Sequence, residues 1–199
     1  RAKKVDEIPI FVKERSKRLF SDRAFRIVYS MNTRITFLGG AGTVTGSKYL
    51  LEHNGKKILI DCGLFQGLKT LRVRNWNPLP LDVSEIDAVI LTHAHVDHSG
   101  YIPRLIKDGY RGRIYSTTAT FDLCKILLPD SGFLMEEEAE YLNKHQRTKH
   151  KVALPLFTQQ EAEASLQYFE PVDFDHRVEI APGIAFEFGY AGHIFGAAQ

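Results

Sequence analysis

Three imidazoles and a carboxylate fall within six residues in the segment Thr92-His93-Ala94-His95-Val96-Asp97-His98-Ser99-Gly100. In an extended chain alternate side chains share a side, so His93 and His95 can reach one ion. A turn after them swings Asp97 and His98 toward a second, neighbouring position. Imidazole and carboxylate donors suit zinc at ~2.0–2.2 Å, with an open coordination position for water where the site is catalytic. Singly, Asp97 or Ser99 would read as a helix cap. Three histidines with an aspartate, directly after an apolar run, exceed what capping requires. Two further residues have bland readings of their own. Asp61 closes an apolar run as a turn aspartate would, and His193 is a lone loop histidine. His53 and His176 read as ordinary surface histidines.

Elements must position these groups. Ile35–Leu38 reads as a strand ending in glycines, and Lys48–Glu52 and Lys57–Ile60 as strands joined through His53-Asn54-Gly55, since Asn-Gly between apolar runs signals a hairpin. Ala88–Leu91 is a continuous apolar run, the pattern of a strand buried on both faces. The spacing predicts a helix over Tyr101–Asp108 stopped by Gly109, with Pro103 tolerable in its first turn. Next come a strand over Arg113–Ser116, a helix over Thr120–Leu128 ended by Pro129, and a separate helix over Glu136–Lys144. Thr158-Gln-Gln-Glu161 is a capping box opening a helix to about Phe169. Val178–Ile180 and Ile184–Phe188 flank Ala181-Pro182-Gly183 as a final hairpin. Hairpin strands followed by βα units describe an α/β (α+β) domain with a mixed sheet. In such sheets sites form at the carboxyl ends of strands, where His93–His98 falls.

The chain of 199 residues is long enough for one domain with a real core. Its 44% hydrophobic and 25% charged residues are ordinary for a globular protein. No apolar stretch approaches the roughly 20 residues of a membrane span, and no signal peptide is visible. Cys62 and Cys124, without a CxxC, suit reduced thiols in a cytoplasmic protein. The net charge of +2 is uneven: residues 1–30 hold nine basic and four acidic side chains, leaving 17 basic and 20 acidic beyond them. Residues 1–30 therefore read as a basic leader or linker, with the folded domain over 31–199. Overall charge argues little for nucleic acid. The glycine-rich Gly39–Gly46 stretch reads first as a tight turn, then as a phosphate cradle. The run from His145 to Lys151 reads first as a solvated loop, then as a backbone contact to nucleic acid.

The HxHxDH run of His93–His98 resembles the signature of the metallo-β-lactamase fold superfamily. Leu38–Ser47, Ile60-Asp61-Cys62-Gly63, Pro129–Glu140 and Ala191-Gly192-His193-Ile194-Phe195-Gly196-Ala197-Ala198 are similar to segments of its RNA-processing branch, the β-CASP nucleases. That branch includes bacterial RNA exonucleases and the eukaryotic pre-mRNA 3′-end endonuclease. The likeness spans about Thr33 to Gln199. It implies a metallo-β-lactamase-like αββα sandwich, of which this is the N-terminal part.

The resemblance also implies a ligand set. His93, His95 and His193 would hold one metal; Asp97 and His98 would hold the other, with Asp97 also orienting the attacking hydroxide. Asp61 would orient a ligand from behind. Two zinc ions would clamp an in-line displacement at phosphorus, in a zinc-dependent phosphodiester hydrolase acting on RNA or possible single-stranded DNA, by exo- or endonucleolytic cutting. The family's bridging carboxylate, β-CASP domain and later histidine fall outside residues 1–199. The expectation is therefore an incomplete chain, or one completed by a second copy or another polypeptide, which binds its first metal better than its second and has little nuclease activity alone. Two alternatives stay open: a small-molecule hydrolase of the superfamily, such as a thioesterase or lactonase, and a non-catalytic partner protein that keeps the fold.

Overall fold

A computed structural model of the chain describes residues 33–148 and 151–199. The leader of residues 1–30 and the domain boundary near Met31 lie outside the described residues, as do Lys149 and His150 of the basic run. The elements are β1 (Thr33–Gly39), β2 (Lys48–His53), β3 (Lys56–Ile60), a short α1 (Lys69–Arg72), β4 (Ala88–Ile90), α2 (Val96–Ser99), α3 (Ile102–Lys107), β5 (Arg113–Ser116), α4 (Thr118–Lys144), α5 (Gln159–Ser165), β6 (Phe169–Pro171), β7 (Val178–Ala181) and β8 (Ile184–Phe186).

Six strands form one mixed sheet in sequence order, antiparallel from β1 to β3 and parallel from β3 to β6. The hairpin at Asn54-Gly55 has both residues at positive φ, 49° and 76°, as a tight two-residue connection demands. A single row crosses five strands in register: Leu50, Leu59, Val89, Ile114 and Phe169. All five are buried, and Leu59, Val89, Ile114 and Phe169 join Leu91, Ile102, Leu105, Leu128 and Phe157 in the main core cluster. Each such apolar side chain contributes about 1.5–3 kcal/mol by burial. On the other face Ile90 and Tyr115 pack against Val172, Phe186 and Phe188, so β7 and β8 cover the parallel half of the sheet. Over the antiparallel half Ile35 and Phe37 of β1 remain exposed.

Two expectations are corrected. Pro129 does not end a helix: α4 runs unbroken for 27 residues with the proline inside it. Proline cannot donate to the carbonyl of Lys125 and costs about 3 kcal/mol within a helix. The cost is met by packing, because Thr120, Cys124, Leu128 and Gly132 form one buried stripe that continues past the proline. Gly132 completes the contact; a Cβ there would lie 2.7 Å from the backbone of Thr158 and Gln159. The capping box at Thr158 is present with both reciprocal bonds, but its helix stops at Ser165. A single 3-10 turn follows, and Phe169 opens β6. Pairing with β5 buries Phe169 in the core row, which outweighs continuation of the helix. Among the described residues no helix is long and apolar enough to cross a membrane.

Candidate metal centre

The site lies at the carboxyl ends of the parallel strands. Asp61 follows β3, Thr92 to His98 follow β4, and Thr117 follows β5. The loop after β3 grips the segment after β4 through its backbone: Cys62 N–H donates to His98 O at 2.7 Å and Leu64 N–H to Val96 O at 3.0 Å. Ser47 N–H donates to Asp97 O at 2.8 Å. Gly63 permits this approach, since a Cβ at that position would sit 1.6 Å from Asp97 O.

Three imidazole nitrogens converge. His93 Nε2 lies 3.1 Å from His95 Nδ1, and His193 Nε2 lies 3.2 Å from the same atom. All three donors fall within 4.8 Å of one another. A single Nδ1–H cannot serve two acceptors at once with good geometry. A tetrahedral zinc with ~2.0–2.1 Å bonds has donor-to-donor edges of about 3.3–3.4 Å, close to the two short separations. The donor set therefore fits one zinc ion. His93 is buried, whereas His95 and His193 are exposed. Burial, then the neighbouring His98, with lesser contributions from His95 and His193, pulls His93 down to about 4 against an upward pull from Asp61. It is neutral near pH 7, with a lone pair to offer.

Asp61 organises the rest. It is buried, in the left-handed region at φ 58°, a conformation that aspartate tolerates better than most residues. Its Oδ2 accepts from His98 Nδ1 at 2.7 Å and Ser47 Oγ at 3.2 Å, and its Oδ1 accepts from Thr92 N–H and Thr92 Oγ1, both at 2.9 Å. Because the Thr92 hydroxyl donates to Asp61, its oxygen accepts from His93 Nδ1 at 2.9 Å. This donor pattern puts the protons of His93 and His98 on Nδ1 and turns both Nε2 lone pairs outward. Burial depresses the His98 pKa, but the hydrogen bond and charge of Asp61, with the charge of Asp97, more than offset that and raise it. His98 Nε2 lies 3.8 Å from Asp97 Oδ2. These two groups stand together beside the three-histidine group.

His193 reaches the site from 98 residues beyond His95. Ala198 N–H donates to Thr92 O at 2.9 Å. The start of α4 holds the same loop: Thr117 Oγ1 and Thr120 Oγ1 donate to Gly196 O at 2.7 and 2.9 Å. The structure thus brings together His93, His95, Asp97, His98, His193 and Asp61. Sequence reasoning assigned no role to Thr92, Ser47, Thr117 or Thr120. Thr92 and Ser47 stood inside quoted segments; Thr117 and Thr120 carried no local signal for this role, because their partner Gly196 is distant in sequence. His53 lies far down the hairpin, bonded to Thr33 Oγ1 at 2.7 Å.

Residues 41–110 match the model of the metallo-beta-lactamase superfamily. Ribonuclease TTHA0252 of Thermus thermophilus is 38% identical over 165 residues, 83% of this chain and 34% of that protein. Transcription termination factor FttA of Methanosarcina mazei is 36% identical over 166 residues, 83% of this chain and 24% of that protein. Cleavage and polyadenylation specificity factor 73 of Drosophila melanogaster is 32% identical over 162 residues, 80% of this chain and 22% of that protein. The chain therefore spans about a third or less of these relatives.

Proposed function

We propose that the chain, whose residues 41–110 match the metallo-β-lactamase superfamily and whose relatives include a ribonuclease and a cleavage and polyadenylation factor, is a member of that superfamily's β-CASP nuclease branch and forms a metal-binding part of a zinc-dependent hydrolase that cleaves RNA phosphodiesters. One observation carries the reading: the convergence of His93 Nε2, His95 Nδ1 and His193 Nε2, with Asp97 and His98 beside them. His93, His95 and His193 would hold the first metal, and Asp97 with His98 the second. Zinc in such a site supplies Lewis acidity at phosphorus and lowers the pKa of a water from ~15.7 to ~7.

The chain's own groups prepare for that. Asp61 fixes the His98 ring directly and the His93 ring through Thr92, so both present a lone pair without searching rotamers. Asp97 directs its carboxylate to the same side as His98 Nε2, where it can orient an attacking water. The names of the relatives, a ribonuclease and a cleavage and polyadenylation factor, favour RNA over a small thioester or lactone.

Calorimetric titration with zinc is the first test. One tight site is expected, lost by a hundredfold or more in His193→Ala, with the fold unchanged because His193 is exposed. Cobalt in place of zinc should give the intense visible absorption of a tetrahedral site. Failure to bind either metal sinks the proposal. A short RNA and a thioester offered side by side address the substrate; turnover of the thioester with RNA untouched would favour the small-molecule reading.

A further inference from the structure

A cavity separate from the metal donors opens beside β1 and β2. Its volume is about 270 Å³, and its walls include Phe37, Leu38, Lys48, Phe65, Arg74 and Tyr101. Lys48 is the unusual member. It is only 2% exposed, yet among the described residues no carboxylate pairs with it. Its ammonium donates to the Gly63 carbonyl and otherwise meets rings, 4.9 Å from the Phe65 centroid and 4.5 Å from that of Tyr101. Gly63 O is the one hydrogen-bond acceptor it meets among the described residues. A second cation lies across the same ring: the Arg74 guanidinium carbon sits 4.0 Å from the Phe65 centroid.

Burying an unpaired charge is costly, and buried charges in proteins are normally matched by an opposite one. Burial, aggravated by Arg74, pulls the Lys48 pKa down to about 8, so the amine is still mostly charged at neutral pH. Two cations thus line a cavity whose other walls are aromatic and apolar apart from Asn77, and no acidic residue lines it. At about 270 Å³ the cavity falls just below the ~300–1,000 Å³ of small-molecule pockets, so it has room for one compact ligand and no stretch of polymer.

We propose that this cavity binds a small organic anion, with Lys48 and Arg74 taking a carboxylate or phosphate and the aromatic walls taking a flat ring. The inference is independent of the metal-site reading, because none of His93, His95, Asp97, His98 or His193 lines the cavity.

Benzoate and adenosine monophosphate serve as probes, with benzyl alcohol and adenosine as uncharged controls. Titrations of the zinc-free chain are followed by calorimetry and by NMR of the aromatic side chains. Saturable binding of at least one anion is expected, with shifts at Phe65 and Tyr101 and none at His93. Its affinity should fall at least tenfold in Lys48→Met and in Arg74→Ala; the second change is at an exposed residue and guards against a folding artefact in the first. Benzoate alone identifies a carboxylate ligand and adenosine monophosphate alone a phosphate, either of which supports the proposal. No saturable binding of either anion, equal binding of the uncharged controls, shifts confined to the metal-site histidines, or affinity unchanged in both variants overturns it.

Discussion

Replacing Asp61 by asparagine separates the orienting role of this residue from a merely structural one. The amide keeps the size of the carboxylate, tolerates φ 58°, and can still accept from Thr92 N–H through its oxygen. Its NH₂ must then occupy the place of Oδ2, which now accepts from His98 Nδ1 at 2.7 Å. Two donors cannot face each other at that distance. His98 is expected to move its proton to Nε2 and accept from the amide through Nδ1, which removes the lone pair beside Asp97.

The cost to folding is modest. One hydrogen bond to a charged acceptor, about 1.5–3 kcal/mol, becomes a neutral one of about 0.5–1.5 kcal/mol, so the variant loses about 1–2 kcal/mol. The cost to metal binding is larger in relative terms. Loss of a group that orients a ligand weakens binding by about 10–100-fold, or about 1.4–2.7 kcal/mol. It should fall mainly on the second position, because His93 is tied to Asp61 only through Thr92. Long-range nitrogen–proton NMR reports the imidazole tautomers directly and should be recorded where His98 is seen to be neutral. Zinc calorimetry at the same pH reports affinity. An unchanged Nδ1–H tautomer at His98 together with an unchanged isotherm refutes the reasoning.

Three other outcomes are expected. In Gly63→Ala the new methyl meets Asp97 O and His98 N–H, 1.6 and 2.5 Å away, where only backbone can yield; a loss at or above the ~3 kcal/mol upper end of overpacking, with weaker zinc binding, should appear in urea unfolding and calorimetry. Pro129→Ala restores a donor to the Lys125 carbonyl and should stabilise α4 by about 1–3 kcal/mol; a lower Tm would show that the ring's packing matters more than the hydrogen bond. Lys48→Met should stabilise the protein at pH 7 by about 3 kcal/mol, since the folded amine titrates near 8 and the unfolded one near 10.5. The penalty of a depressed lysine is complete below the folded value and vanishes above the unfolded one, so the advantage of Lys48→Met over the native chain should shrink as pH rises from 8 to 10.5. An advantage independent of pH would mean that Lys48 is not buried as a charge.

Much of the fold was legible because short-range rules decided it. Asn54-Gly55 announced the first hairpin, Ala88–Leu91 the central strand, and Thr158 with Glu161 the start of α5. Two elements were misread for one reason. Pro129 and the end of α5 look like local questions, but tertiary packing answers them. The Thr120–Cys124–Leu128–Gly132 stripe carries α4 through a residue that should stop it, and Phe169 leaves the helical path to complete a row across five strands.

The candidate site divides along the same line. His93, His95, Asp97 and His98 could be read from spacing alone because one strand end and one turn present all four. Asp61 and His193 could not, since each is an ordinary loop residue until the sheet brings its strand end alongside β4. Their positions depend on groups that advertise nothing locally: Thr92 relaying Asp61 to His93, and Thr117 with Thr120 holding Gly196 beneath the His193 loop. Lys48 lies further still from what spacing can reveal. Its neighbours in sequence make it an ordinary strand lysine, and only the closure of Phe65 and Tyr101 over its side chain turns it into a buried cation facing a cavity. Candidate donors can thus be picked out within one contiguous segment, but the third histidine that joins them, the groups that orient them, and the charge that strand pairing and loop closure bury elsewhere emerge only from contacts between distant residues.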